Sequence, residues 1–189
     1  MTDTHSTGSG ISPLLRRWPV LAGLGAAALI ALDLAAGVEL AKVLAASAVI
    51  YLGAAALGKP GSAWPLFIGT VVVITVADLV DGRFEATWVV LGAGILLAAY
   101  GVLRGAVRPG YGLPLQALAL LGFGTAAALA LFINPVLGAY LVALGLLGHA
   151  AWDVYHYRAN KVVVRSLAEF CLVLDTALAV AIVIVTVRA

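Results

Sequence analysis

The hydrophobic positions of this chain form seven long runs, which charged residues or glycine and proline separate from one another. A helix needs about 20 mostly apolar residues to cross the hydrocarbon core of a bilayer. The runs do not alternate with polar residues, as the strands of a membrane barrel would, and the pattern therefore predicts transmembrane helices. The predicted spans are 18–36, 38–57, 64–80, 87–103, 113–133, 135–157 and 167–187.

Local sequence signals mark two of the helix starts. Asn134 precedes a proline, and this pair is typical of an N-cap followed by the first helical residue. Ser166 and Glu169 have the spacing of a capping box at the start of the last helix. Residues 1–17, rich in Thr, Ser and Gly, predict a disordered cytoplasmic tail, and residues 18–189 predict a single transmembrane domain.

The composition supports a membrane protein. Hydrophobic residues make up 63% of the chain and charged residues 11%, whereas an average soluble domain is about half apolar and about a quarter charged. A soluble fold of this length has too little interior to bury that excess, so we expect an all-α integral membrane protein solvated by the lipid bilayer. The net charge of +2 does not indicate a nucleic-acid partner. The single cysteine, Cys171, excludes an intrachain disulfide and a cluster of thiolate ligands.

The distribution of lysine and arginine predicts the orientation. With the N-terminus in the cytoplasm and the C-terminus outside, the cytoplasmic segments hold eight of the 11 basic residues, as the positive-inside rule requires. Tryptophans near the helix ends agree with an interfacial aromatic belt. These signals predict a multi-pass protein of the plasma membrane. The eight residues are Arg16, Arg17, Lys59, Arg104, Arg108, Arg158, Lys161 and Arg165; the other three are Lys42, Arg83 and Arg188.

One face of the sixth helix carries the residues that we expect to be functional. At about 100° per residue, they fall within an arc of roughly 80°, and its glycines allow another helix to approach closely. Charged groups within a bilayer are costly and are therefore candidates for function. The face consists of Gly138, Gly145, His149, Asp153 and His156.

The polar part of this face has the ligand types of a metal site. His149, Asp153 and His156 lie about one turn apart, and imidazole plus carboxylate suits a divalent metal such as zinc or non-haem iron. The seventh helix returns antiparallel, which places Asp175 at the depth of His149 and Cys171 at the depth of Asp153. Asp175 is then either a further ligand or a carboxylate that orients His149 through a ring N–H. Proton transfer by these residues, and purely structural pairing such as that of Asp153 with Arg165, are the alternatives.

A second group of carboxylates is expected near the outer surface. It consists of Asp33 on the first helix and of Asp78 and Asp81 on the third, with Lys42 and Arg83 as available partners. Such a group binds a cation or relays protons, or else it forms a solvated vestibule with ion pairs at helix ends.

The C-terminal part of the chain resembles a known kind of protein. The block from His149 to His156, His-Ala-Ala-Trp-Asp-Val-Tyr-His, precedes Ser166, Cys171 and Asp175. It is similar to bacterial multi-pass membrane proteins of unknown function that carry a His-x-x-Trp-Asp-x-x-His block near the C-terminus, followed by a small-residue helix with Cys and Asp. The resemblance covers the chain from His149 onward and implies no activity. It directs attention to the sixth and seventh helices.

Three classes of function are compatible with these patterns. A small membrane enzyme would act on a lipid-like substrate through His149, Asp153, His156 and Asp175, and predicts a cavity that opens sideways at His149. A transporter or channel for protons or small solutes predicts a continuous polar path from Asp33 to Asp153. An accessory subunit would pack or oligomerise through its glycine-rich faces, and predicts a flat outer face of small residues with no cavity.

Overall fold

The structure is a computed structural model that describes residues 17–80 and 85–188. In this part of the chain every regular element is helical, which confirms the predicted all-α class. Two short 3-10 turns, Val38–Leu40 and Pro60–Ser62, precede the second and third helices. The predicted tail lies outside the described residues except for Arg17. The helices are α1 (Trp18–Ala31), α2 (Ala41–Leu57), α3 (Ala63–Leu79), α4 (Ala86–Leu103), α5 (Leu113–Ala130), α6 (Pro135–Ala159) and α7 (Arg165–Arg188).

Six of these helices are long and apolar enough to cross a membrane, α2 and α3 together with the 3-10 turns that precede them, and α1 is the shorter exception. The predicted first span extends to residue 36, but α1 ends at Ala31. A compact turn follows, in which the Glu39 carboxylate accepts hydrogen bonds from the backbone N–H groups of Ala35 and Ala36, at 2.6 and 3.2 Å. Gly37 then adopts a φ of +79°, a conformation that glycine reaches without steric cost.

Helix α2 lies at the centre of the bundle. Buried residues make up 78% of its membrane-spanning stretch, against 6% for that of α3. Helix α2 also contacts α3, α4, α5 and α6. Helices α6 and α7 form an antiparallel hairpin packed along its length, and α1 packs against α7. A side chain on the central helix can therefore meet the inner face of the hairpin.

The glycine face of α6 packs against neighbouring elements, as its spacing predicts. A Cβ atom added to Gly138 would lie 2.5 Å from the carbonyl oxygen of Ala130, and one added to Gly145 would collide with Leu44 of α2. Because these positions lack a side chain, the hairpin can approach the rest of the bundle closely.

The two predicted helix starts have different outcomes. Asn134 caps α6, since its side chain accepts a hydrogen bond from the backbone N–H of Val136 at 2.9 Å. The capping box at Ser166 is wrong, because α7 begins at Arg165. The Ser166 hydroxyl accepts a hydrogen bond from Trp64 Nε1 at 3.1 Å, and Glu169 pairs with Arg17 instead.

Candidate functional site

The centre of the candidate site is a buried trio of ionisable side chains on the hairpin. His149 and Asp153 lie one turn apart on α6, and Asp175 faces them from α7. His149 Nδ1 lies 2.9 Å from Asp175 Oδ2 and 3.5 Å from Asp153 Oδ2. No member is more than 1% exposed. The expectation that Asp175 lies at the depth of His149 agrees with this contact.

Two aromatic side chains from other helices enclose this buried trio. The Tyr51 hydroxyl, on α2, donates a hydrogen bond to Asp153 Oδ1. Its ring packs edge-on against His149, with the centroids 5.2 Å apart. Phe123, on α5, packs against His149 at the same centroid distance. Four helices therefore position the site, and aromatic rings flank the imidazole.

His156 belongs to a separate hydrogen-bond network. Its Nδ1 lies 2.9 Å from the Trp152 carbonyl, and its Nε2 lies 3.0 Å from Gln116 Nε2. The Trp152 indole donates to Gln116 Oε1 at 3.2 Å, and the amide nitrogen also contacts the carbonyl of Tyr111.

This network fixes the tautomer of His156. An indole N–H can only donate, so Oε1 of Gln116 faces Trp152 and the amide nitrogen faces His156. The Nε2 atom of His156 must then accept, and Nδ1 carries the proton that it donates to the Trp152 carbonyl. Both ring nitrogens are therefore engaged, and His156 offers none to the trio.

The three polar residues predicted on α6 thus divide into two sets. His149 and Asp153 join Asp175, whereas His156 joins Gln116 and Trp152. The alternative ion pair of Asp153 with Arg165 is not formed, because Asp153 bonds Tyr51 and the Arg165 Nε donates to the carbonyl of Tyr157 at 3.1 Å. Cys171 is buried in the core of the same hairpin.

Relatives of known activity would give an independent guide to these residues. No family model, curated protein or solved structure matches this chain.

The trio has the composition and spacing of a cation site. One ligand atom from each of His149, Asp153 and Asp175 can be chosen so that all three lie within 4.8 Å of one another. Imidazole nitrogen and carboxylate oxygen are ordinary ligands of divalent metals in proteins. The same groups could share a proton through the Nδ1 contacts, so the geometry supports either a metal ion or proton transfer.

The predicted outer group is only partly assembled. Lys42 Nζ lies 2.6 Å from Asp78 Oδ2, and these residues line a groove of about 440 Å³ together with Asp33 and Glu39. Both Asp33 and Asp78 are exposed, as expected for a solvated group at helix ends. Asp81, the third predicted member, lies outside the described residues.

The part of α2 that lies between the outer group and the trio is almost entirely apolar. Between Lys42 and Tyr51 the one polar side chain is Ser47, and its hydroxyl is engaged with the carbonyl of Val43 at 2.8 Å. Along this helix there is therefore no polar path from the outer group to the trio.

A groove between α5 and α6 runs beside the trio. It has a volume of about 480 Å³, and Trp152 is the one lining residue whose side chain carries a polar atom. Phe123 lines this groove and also packs against His149. A cavity reaching His149 itself was expected for an enzyme; the groove instead stops at the Phe123 ring.

Tyr51 and Gln116 were not among the predicted polar site residues, which were all carboxylates and histidines. Both carry a sequence signal that could have found them. Gln116 is the one glutamine of the chain, and Tyr51 is the one aromatic residue in the second predicted span. Polar side chains in an apolar helix are expected to find a partner there.

Proposed function

We propose that the protein is a multi-pass plasma-membrane protein that works as a small enzyme on a lipid-like substrate. The N-terminus lies in the cytoplasm, the C-terminus lies outside, and the chain crosses the membrane seven times. The groove beside the buried His149–Asp153–Asp175 trio is the observation that supports an enzyme. The apolar side chains exposed around the bundle support a location in the membrane.

A lipid environment suits the outward-facing side chains. Large apolar residues of different helices, such as Leu96 on α4 and Leu121 on α5, are 73% and 66% exposed, and both helices are long enough to span. Contiguous exposed surfaces of this kind are rare on soluble monomers.

Contacts at both ends of α1 support its role as a seventh span. At its start, the Trp18 ring lies 5.3 Å from the ring of Trp64, in the first turn of α3. Just beyond its other end, Asp33 lines the same groove as Asp78, in the last turn of α3. The segment 18–33 therefore covers nearly the same depth as α3, which is long enough to span together with the 3-10 turn that precedes it.

The groove between α5 and α6 suits an apolar chain. Its open side faces the surrounding lipid, and its volume of about 480 Å³ falls within the range of about 300–1,000 Å³ that is usual for ligand sites. A substrate chain in this groove would be separated from His149 by the Phe123 ring, which a rotamer change can move. The substrate would then reach the polar side chains of the trio from the apolar groove.

The other two classes have less support. A transporter needs a polar path, and α2 supplies only Ser47 between the outer group and the trio. An accessory subunit needs a flat face of small residues, whereas many exposed side chains here are large.

The lipid composition of cells provides the test. The wild-type chain is compared with two variants in a host that lacks the gene, and total lipids are profiled by mass spectrometry. Gly122→Trp fills the groove, because a Cβ added at Gly122 meets no atom within 4 Å. Asp153→Asn removes a carboxylate of the trio.

We expect the wild type to change the amount of at least one lipid several-fold, and both variants to abolish the change. Gly69→Trp is the matched control, since Gly69 is also an exposed helical glycine with open space around it but lies outside the groove. A wild-type lipid profile that equals the profile of the Asp153→Asn cells would contradict the proposal.

A further inference from the structure

We infer that His149, Asp153 and Asp175 bind one divalent transition-metal ion within the membrane-spanning part of the protein. The ligand atoms are His149 Nδ1, Asp153 Oδ2 and Asp175 Oδ2. The inference rests on the proposed function only for the catalytic role of the ion. Binding itself is measured without turnover.

The distances within the trio suit a shared ion. Two ligand atoms that are each about 2.1 Å from one ion, at ordinary coordination angles, lie roughly 3.0–3.4 Å apart. The separations from His149 Nδ1 are 2.9 Å to Asp175 and 3.5 Å to Asp153. The imidazole nitrogen therefore already lies at a suitable distance from both carboxylates.

Unsatisfied polar atoms give an independent indication. Among the side-chain N and O atoms that the structure describes, two are buried and lack a hydrogen-bond partner: His149 Nε2 and Asp153 Oδ2. Both belong to the trio, and Asp153 Oδ2 faces His149 Nδ1. Buried polar atoms without a partner are rare in native proteins and are often explained by an ion or a water. A metal ion bound at Nδ1 would satisfy the carboxylate oxygen directly but would leave Nε2 without a partner, so Asp153 Oδ2 is the atom that supports the ion.

The charges of the trio also favour a divalent cation. Two carboxylates share one imidazole at less than 2% exposure, and no lysine or arginine of the described chain pairs with either of them. An unpaired buried charge is costly. Two carboxylates, a neutral imidazole and a divalent ion form an electrically neutral unit.

The surrounding side chains assign the ligand set. The Tyr51 hydroxyl holds Asp153 through Oδ1, which leaves Oδ2 for the ion. Carboxylates that bind a metal are commonly held by such a hydrogen bond from a residue outside the ligand set. His156, which the sequence pattern included as a ligand, has both ring nitrogens engaged elsewhere. Asp175 takes its place.

Nitrogen and oxygen ligands select the class of ion. Zn²⁺, Mn²⁺ and Fe²⁺ all accept imidazole and carboxylate. The thiol of Cys171 does not belong to the trio. Three protein ligands leave a coordination position open, which is typical of catalytic rather than structural zinc.

Metal content is the direct test. The full chain is purified in detergent without chelators, stripped, and reloaded separately with Zn²⁺, Mn²⁺ and Fe²⁺; bound metal is then measured by elemental mass spectrometry. We expect about one ion per chain for at least one metal, and loss to background in Asp175→Asn. His156→Ala and Asp78→Asn are expected to keep the wild-type content.

A second measurement stands on the wild type alone, in case Asp175→Asn does not fold. X-ray absorption at the edge of the bound metal should show one imidazole with oxygen ligands. Two imidazoles would overturn the ligand set. No uptake of any of the three metals by the wild type would overturn the inference, as would equal uptake by folded Asp175→Asn.

Failure of the two proposals can be distinguished. A protein that binds the ion at the trio but changes no lipid would contradict only the enzymatic proposal. A protein that changes lipids through Asp153 without bound metal would contradict only the metal centre.

Discussion

The Tyr51 hydroxyl on the central helix α2 donates a hydrogen bond to Asp153 on α6, and the two residues are 102 positions apart in the chain. The same tyrosine ring packs against both His149 and His156, with centroid distances of 5.2 and 4.9 Å. Tyr51 is thus the residue that joins the buried trio to the His156 network, and it ties the α6–α7 hairpin to the centre of the bundle.

Removing this hydroxyl should weaken both the fold and metal binding at the proposed site. Tyr51→Phe keeps the ring contacts but leaves Asp153 Oδ1 without its donor, so we expect a loss of about 1–2 kcal/mol in the free energy of unfolding. Zinc affinity should fall by about 10–100-fold, because an outer partner of a ligand is lost. Unfolding in detergent and zinc competition measure the two effects.

The matched control for Tyr51→Phe is Tyr140→Phe, at a tyrosine that is 40% exposed on the same helix as Asp153. It should change neither the free energy of unfolding nor zinc affinity. Equal effects of the two substitutions would contradict the role given to the Tyr51 hydroxyl.

The hydrogen bonds of Gln116 predict one tautomer for His156. In protein labelled with ¹⁵N at histidine, the Nε2 atom of His156 should give the shift of an unprotonated nitrogen and Nδ1 that of an N–H. The chain has three histidines, so His156→Gln assigns the signal. Gln116→Leu removes the donor to Nε2 and should shift this signal, while leaving the His149 signals in place. A protonated Nε2 in the wild type would contradict the network.

The close approach of α6 to the preceding segment predicts intolerance at Gly138. In Gly138→Ala the new Cβ would lie 2.5 Å from a backbone oxygen, at Ala130, and a backbone shift would be needed. We expect a loss of about 1–3 kcal/mol in the free energy of unfolding. Gly122→Ala, where nothing lies within 4 Å of the new atom, should change it by less than about 1 kcal/mol. Similar stabilities of the two variants would contradict the packing.

The sequence predicts the parts of this site that depend on local periodicity. His149 and Asp153 share a face because of helical spacing, and Asp175 meets them because a short loop returns the chain antiparallel. The short loop between α6 and α7 limits how the two helices can align, so counting residues from it is enough to locate this contact.

Contacts between distant helices could not be predicted in this way. Tyr51 and Asp153 meet because α2 packs against α6, and Gln116 reaches His156 from α5 across 40 positions. Many packings of seven apolar helices are compatible with one hydropathy profile, since lipid solvates any outward face equally well. The sequence also predicts too late an end for α1. The apolar residues after Ala31 continue the hydrophobic run, but Glu39 and Gly37 fold them into a turn.

The length of α1 makes the location of the N-terminus the decisive topological prediction. Its 14 residues span about 21 Å at 1.5 Å per residue, less than the hydrocarbon core of about 30 Å, yet Trp18 at its start and Asp33 just beyond its end lie near the two ends of α3. We therefore expect the turn after Ala31 to complete the crossing. A protease-cleavable tag at the N-terminus should be protected in intact spheroplasts and cut after lysis, whereas the same tag at the C-terminus should be cut in both. If α1 does not cross, the loops keep their positions and only the N-terminal tag changes side, so its cleavage in intact spheroplasts would leave six spans and contradict the seventh.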